Sequence, residues 1–130
     1  MSPFWKSVGF GVVSVLVLDT AASIASARLS FPYAYASAGS LLIYLAIGYV
    51  VFRTGGLAKA IGAALVVETV DATLGWFISW KIGPGALPAE QSGTGAIVAS
   101  IVFVLLFSVV CAVIGSGLAR VIHGPLSTNA

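Results

Sequence analysis

Four apolar stretches separated by short polar segments set the pattern of this chain. The stretches cover residues 8–27, 33–52, 57–80 and 95–122. A helix needs about 20 predominantly apolar residues to cross the hydrocarbon core of a bilayer, and every stretch reaches that length. The pattern therefore predicts an all-α polytopic membrane protein, in which residues 1–130 form a single integral membrane domain built as a four-transmembrane-helix bundle.

The polar segments predict how these helices are joined. Arg28 follows the first stretch, and the second ends before Arg53 and a short Thr-Gly-Gly connector at residues 54–56. The one long loop covers residues 83–93, where several glycines and prolines oppose regular helix. A polar tail at residues 124–130 ends the chain, so almost nothing is expected outside the bilayer.

The basic residues predict the orientation of the bundle. Six of them flank the predicted spans and divide four to two between the two sides. The larger group is Lys6, Arg53, Lys59 and Arg120, and the smaller is Arg28 and Lys81. Cytoplasmic loops of membrane proteins carry the excess of Lys and Arg, so we expect a multi-pass protein of a cell (inner) membrane with both termini in the cytoplasm. Because the bias is modest, dual topology stays open.

Two further patterns concern the first helix. Asp19 lies thirteen residues after Lys6, and Asp71 lies twelve after Lys59, so a tandem helical-hairpin repeat would place both aspartates at matching depth. The alternative for the N-terminal segment is a cleavable signal peptide. Lys6, the apolar run that follows it and the small residues at 25–27 fit that alternative.

Composition narrows the class of protein. Apolar residues make up 59% and charged residues 8% of the chain, against about 45–50% and about 25% in soluble domains. The net charge of +2 and the scattered bases argue against a nucleic-acid partner. Cys111 and His123 are the single cysteine and histidine, which leaves no cysteine or histidine metal site within one chain. We therefore expect no metal and no cofactor.

Three carboxyl groups inside the predicted spans are the candidate functional residues: Asp19, Glu68 and Asp71. A charged Asp at the centre of a membrane helix costs about 2.5–3.5 kcal/mol on insertion scales, so these groups should face the bundle interior. Glu68 and Asp71 are three residues apart and share one helix face. Since no base occurs at similar depth, they are expected to hold protons, or a bound cation supplies the missing charge.

Four other residues are expected to support this site. Ser23 shares a helix face with Asp19, and the second helix offers Ser40 and Tyr44. Tyr44 and Trp76 present aromatic faces that suit an organic cation, although packing or interfacial anchoring is the simpler explanation of both.

The carboxyl groups lead to the functional hypothesis. Ionisable residues within membrane helices usually mark ion or proton pathways. The sequence favours a small transporter-like protein that binds or moves a proton or small cation, embedded in the lipid bilayer as a homo-oligomer. The alternative is a non-transporting structural or assembly subunit of a membrane complex, in which protonated acids bond between helices.

Enzymatic activity is not expected. Asp19-Thr20-Ala21 lacks the glycine of the Asp-Thr-Gly turn of aspartic proteases and lies in a predicted helix.

Overall fold

The computed structural model describes residues 1–85 and 93–124. Within these ranges the chain is helical and contains no strand, so the predicted all-α class is confirmed. The elements in chain order are helix α1 (Pro3–Leu29), a 3₁₀ turn (Tyr33–Tyr35), helix α2 (Ala36–Val70), a π-helical turn (Asp71–Gly75), helix α3 (Trp76–Ile82) and helix α4 (Thr94–His123).

Three helical stretches in the described residues are long and apolar enough to cross a membrane. They are Pro3–Leu29, Tyr33–Ile82 and Thr94–His123, with 27, 50 and 30 residues. An α-helix rises about 1.5 Å per residue, so the first and third match a hydrocarbon core about 30 Å thick with some excess. Their length and apolar character suit a protein located in a membrane.

The 50-residue stretch is broken at Gly56, where the chain reverses direction. Gly56 has φ 79° and ψ 179°, a backbone conformation that glycine adopts without the penalty of a Cβ. The hydroxyl of Tyr44, before the break, donates a hydrogen bond of 2.6 Å to Asp71, after it. The two parts of α2 therefore lie side by side. The predicted spans 33–52 and 57–80 both fall within this stretch.

The helix ends differ from the predicted bounds. Helix α1 begins at Pro3 rather than at residue 8, because proline is well suited to the first turn of a helix. It ends where Ser30 adopts a left-handed conformation, with φ 55°. Most of the predicted loop at 83–93 and of the tail at 124–130 lies outside the described residues.

The core lies between α1 and the two parts of α2, toward the Gly56 end. Its buried members are mostly valines and alanines, whose small side chains let helices approach closely. They include Val8, Val15, Val51, Ala60, Ala63 and Val67.

Helix α4 packs mainly on α2 through one stripe of small residues. The buried positions of α4 are Ser108, Cys111, Ala112, Gly115, Ser116 and Ala119. A Cβ at Gly48 of α2 would lie 2.5 Å from the backbone oxygen of Ala112, and one at Gly115 would meet the backbone oxygen of Leu45. The two helices thus touch through their main chains, and the rest of α4 presents large apolar side chains outward.

Candidate functional site

Two carboxyl groups from different helices meet at Gly75. Asp19 comes from α1 and is 6% exposed, whereas Asp71 opens the π-helical turn. Asp19 Oδ2 and Asp71 Oδ1 both lie in the space that a side chain at Gly75 would occupy. The two carboxyl groups therefore lie next to each other at the contact of α1 with the π-helical turn. A hydrogen bond between two carboxyl groups would require one of them to carry a proton, because an ionised carboxylate only accepts.

The π-helical turn positions Asp71, one of the two carboxyl groups of this pair. Residues Asp71–Gly75 form a single wide turn inside an otherwise α-helical segment. Such turns are rare and often occur at functional sites. The turn ends at Gly75, which is buried and without a side chain, so the carboxyl group of Asp19 on α1 comes directly against its backbone.

Two tyrosine hydroxyls hold the outer oxygens of the pair. Tyr44 on α2 donates to Asp71 Oδ2 at 2.6 Å. Tyr33 in the 3₁₀ turn donates to Asp19 Oδ1 at 3.3 Å. Each carboxyl group therefore has one oxygen bonded to a tyrosine and the other against Gly75, which gives a continuous polar chain from Tyr33 through the pair to Tyr44.

The third carboxyl group extends this chain. Glu68 is 3% exposed and lies near the Tyr44 hydroxyl, whose hydrogen bond goes to Asp71. It borders the same cleft as Asp71. Within residues 1–85 and 93–124, no three Asp, Glu, His or Cys side chains are grouped as ligands for a metal ion. The carboxyl groups form a line connected through Tyr44 and do not encircle one point.

The neighbours of these carboxyl groups are hydroxyl or carboxyl groups. Tyrosine hydroxyls and the other acids face Asp19 and Glu68, and no basic side chain among the described residues does so. An ion removed from water without a partner costs several kcal/mol, so three unpaired carboxylates would be strongly destabilising. Three carboxyl groups thus lie together without a basic partner among the described residues.

A cleft of about 570 Å³ between α2 and α4 leads to two of the acids. Its floor is formed by Tyr44, Glu68 and Asp71. Its walls are Ser37, Ala38, Ser40 and Leu41 of α2 and Phe103, Val104 and Phe107 of α4. The cleft lies along the first turns of α2, and the main-chain contacts at Gly48 and Gly115 close the space beyond Tyr44. The acids are therefore reached through the groove between the first turns of α2 and the Phe103–Phe107 part of α4.

Two buried serine hydroxyls lie behind the pair. Ser23 and Ser79 are fully or almost fully buried, and both face the Tyr33 hydroxyl. Neither oxygen makes a hydrogen bond within the described part of the chain. A buried hydroxyl without a partner is destabilising by about 1–3 kcal/mol. The region around Tyr33 thus contains two buried hydroxyl groups that lack hydrogen-bond partners among the described residues.

The residues singled out from sequence have different places in this arrangement. Asp19, Glu68 and Asp71 are brought together through Tyr44, and Ser40 lines the cleft. Ser23 lies beside Asp19 and Tyr33 rather than at the cleft.

Trp76 lies apart from the carboxyl cluster. It is 42% exposed, and its indole nitrogen donates to the Gly85 carbonyl at 3.1 Å. The ring stacks near Trp80, with 6.4 Å between centroids. The packing and anchoring interpretation of Trp76 fits this position better than an aromatic face at the acids.

Sequence reasoning missed Tyr33, Phe103 and Phe107. Tyr33 lies at the start of the second predicted span, and only the folding of the 3₁₀ turn brings its hydroxyl to Asp19. The two phenylalanines belong to an apolar helix without distinguishing pattern, and their place in the cleft depends on how α4 packs on α2.

Comparison of this chain with protein-family models, with curated proteins and with solved structures finds no match. The geometry of the site is therefore the basis for assigning a function.

Proposed function

We propose that this protein is a small membrane carrier that binds and exchanges protons at the Asp19–Asp71 pair. The observation that carries the proposal is the contact of these two carboxyl groups at Gly75. Two like-charged groups at this separation cannot both ionise easily, so the pair holds one proton in a shared bond. A cleft between α2 and α4 supplies access to Glu68 and Asp71.

A proton suits the site better than a small metal cation. Metal ions such as Ca²⁺ take six or more oxygen ligands that converge on one point. Here the described acids follow a line through Tyr44 and give no such group. A tyrosine on each side of the pair also provides hydroxyls that both donate and accept, as proton exchange along hydrogen bonds requires.

The proposal includes four membrane crossings with both termini in the cytoplasm of a cell (inner) membrane. A straight 50-residue helix would be about 75 Å long, far more than a bilayer needs, and the reversal at Gly56 divides it into two crossings. Tyr49 near the end of the first part contacts His123 at the end of α4. The Gly56 turn and the α4 terminus are thus on one side. The contact of Asp19 with Asp71 also supports the tandem helical-hairpin repeat, because that repeat would place both aspartates at matching depth.

Labelling of single cysteines tests this topology. In a Cys111→Ser background, Thr54→Cys should react from the same side as the N-terminus, and Arg28→Cys and Lys81→Cys from the opposite side. Protection of Thr54→Cys from both sides would place it inside the bilayer and contradict four crossings.

Infrared titration of the protonated-carboxyl C=O band in bilayer-reconstituted protein tests proton exchange directly. We expect a band that disappears as pH rises, and that is lost or shifted in Asp19→Asn and Asp71→Asn. In liposomes with an internal pH dye, Asp71→Asn should insert normally but lose proton uptake. Thr69→Val is the matched control on α2, because its hydroxyl bonds only to Leu65 of its own helix.

The assembly-subunit alternative gives the opposite results. A C=O band that persists at every pH, together with loss of oligomers in Asp19→Asn and Asp71→Asn, would mean locked interhelical hydrogen bonds. We expect a homo-oligomer that keeps its size in these variants, since outward-facing side chains of α4 such as Val113, Leu118 and Val121 do not line the cleft at the acids. Crosslinking in native membranes measures this.

A further inference from the structure

The cleft between α2 and α4 has an acidic part and an apolar part, and one kind of ligand can bind to both. Its floor carries the carboxyl groups of Glu68 and Asp71, and its walls are largely apolar. Phe103 and Phe107 stack there with 6.4 Å between ring centroids and 20° between their planes. A hydrated metal ion would make no use of the apolar walls, and a neutral hydrocarbon would make no use of the acids.

We propose that the cleft binds an amphipathic organic cation, with an ammonium group at Glu68 and Asp71 and an apolar body against Phe103 and Phe107. The proposal rests on the proposed function, because it names the cargo that exchanges with the cluster's proton. Ligand sites of this kind are commonly 300–1,000 Å³ with apolar walls and few polar groups, and the cleft has about 570 Å³. Cations also bind favourably to aromatic faces.

The charge of the site determines how many protons are exchanged for each bound cation. No described basic side chain neutralises the cluster, so its protons do so in the absence of a cation. An incoming ammonium group favours the ionised carboxylate, and one proton leaves for each cation bound. The hydroxyl of Tyr44 donates to Asp71 and also lines the cleft, so a bound ammonium group lies beside the bond that connects Asp71 to Tyr44.

The chain contains a natural control for this recognition. A second cleft of about 430 Å³ between α1 and α2 is also largely apolar and includes Phe10. It contains Lys6 and no acidic residue, so it should repel a cation. Phe10 and Phe103 are comparably exposed, at 75% and 68%, and substitution of either leaves the core intact.

The experiment uses benzyltrimethylammonium and phenylmethanesulfonate with wild-type protein in lipid nanodiscs. The two probes share a benzyl body but carry opposite permanent charges, so neither can itself supply a proton near neutral pH. Calorimetry in buffers of different ionisation enthalpy measures affinity and proton release together. We expect binding of the ammonium with release of about one proton, and no binding of the sulfonate.

The variants locate the bound probe. Phe103→Ala should weaken ammonium binding about three- to fivefold, as expected for the loss of one aromatic contact with the benzyl body, and Phe10→Ala should leave it unchanged. Glu68→Gln should weaken it at least tenfold and reduce proton release. Phe107→Ala repeats the Phe103 test should that variant fail to insert.

Two outcomes overturn this inference while leaving proton exchange standing. The first is absence of ammonium binding in protein whose C=O band titrates normally without probe. The second is equal binding of both probes, which would identify an apolar groove occupied by lipid chains. Binding without proton release, in protein whose band does not titrate, would instead refute the proposed proton exchange.

Discussion

The hydroxyl of Tyr44 donates to Asp71 Oδ2 at 2.6 Å, across 27 residues of chain. This bond joins the two parts of α2 on either side of the Gly56 reversal. It also connects the cleft to the carboxyl pair at Gly75. One hydrogen bond therefore contributes both to the packing of the bundle and to the chemistry of its interior.

Replacing Tyr44 with Phe should remove this bond with little change of volume. We expect a loss of about 1 kcal/mol of stability in detergent unfolding, the usual contribution of one hydrogen bond. The C=O band of Asp71 should shift, because its Oδ2 loses a donor. Tyr49→Phe is the matched control, since its hydroxyl meets His123 and no acid. Identical spectra for Tyr44→Phe and wild type would show that the hydroxyl is not bonded to Asp71.

Gly75→Ala should separate the carboxyl pair. Its backbone is helical and accepts alanine, so the effect comes from the methyl group, which would overlap the oxygens of Asp19 and Asp71. We expect loss of the shared-proton band in infrared spectra and loss of proton uptake in liposomes.

Gly62→Ala provides the control for this substitution, because nothing lies within 4 Å of a Cβ there. In a helix interior that change should stabilise by up to about 1 kcal/mol. Unaltered proton uptake by Gly75→Ala would contradict the proposed role of the pair.

The main-chain contact between α2 and α4 should be equally sensitive to a single methyl group. Gly115→Ala would place a Cβ against the Leu45 carbonyl oxygen, and overpacking of this kind usually costs about 1–3 kcal/mol. Gly117→Ala, two residues along the same helix and facing open space, should be neutral or slightly stabilising. Thermal unfolding in detergent compares the two, and equal midpoints would rule out the close approach.

Ser23→Ala should not destabilise the protein. The Ser23 hydroxyl is buried and has no hydrogen-bond partner among the described residues, so its removal relieves an unsatisfied group. Ser116→Ala is the contrasting variant, because its hydroxyl bonds to the carbonyls of Gly48 and Ala112. We expect an unfolding midpoint for Ser23→Ala at or above wild type, and a lower one for Ser116→Ala. The reverse order would contradict this assignment of partners.

Hydrophobic patterning predicted the helical class and the acids but not their connections. The spacing of Glu68 and Asp71 indicated a common face, and the position of Asp71 indicated a depth like that of Asp19. Neither pattern predicts the π-helical turn, because the sequence Asp-Ala-Thr-Leu-Gly has no local feature that favours a wide turn. The turn depends on tertiary contacts with α1.

The cleft was beyond sequence reasoning for a related reason. Phe103 and Phe107 lie in the most uniformly apolar stretch, where every face resembles the others. Their neighbours are decided by which small residues of α4 meet Gly48 on α2, and that pairing is a property of the packed bundle. Trp76 shows the opposite case, since its aromatic character suggested a site, whereas its indole bonds to the backbone of Gly85.

The contact at Gly48 and Gly115 also determines how the cleft can change width. The helices already touch there through backbone atoms, so they cannot slide closer together. They diverge toward Phe103 on one side of the contact, and the Tyr49–His123 bond of 3.3 Å lies on the other. The buried stripe from Ser108 to Ala119 holds α4 against α2 over about three turns. Any change in the width of the cleft therefore falls to the Phe103 end of α4, which lies beyond that stripe.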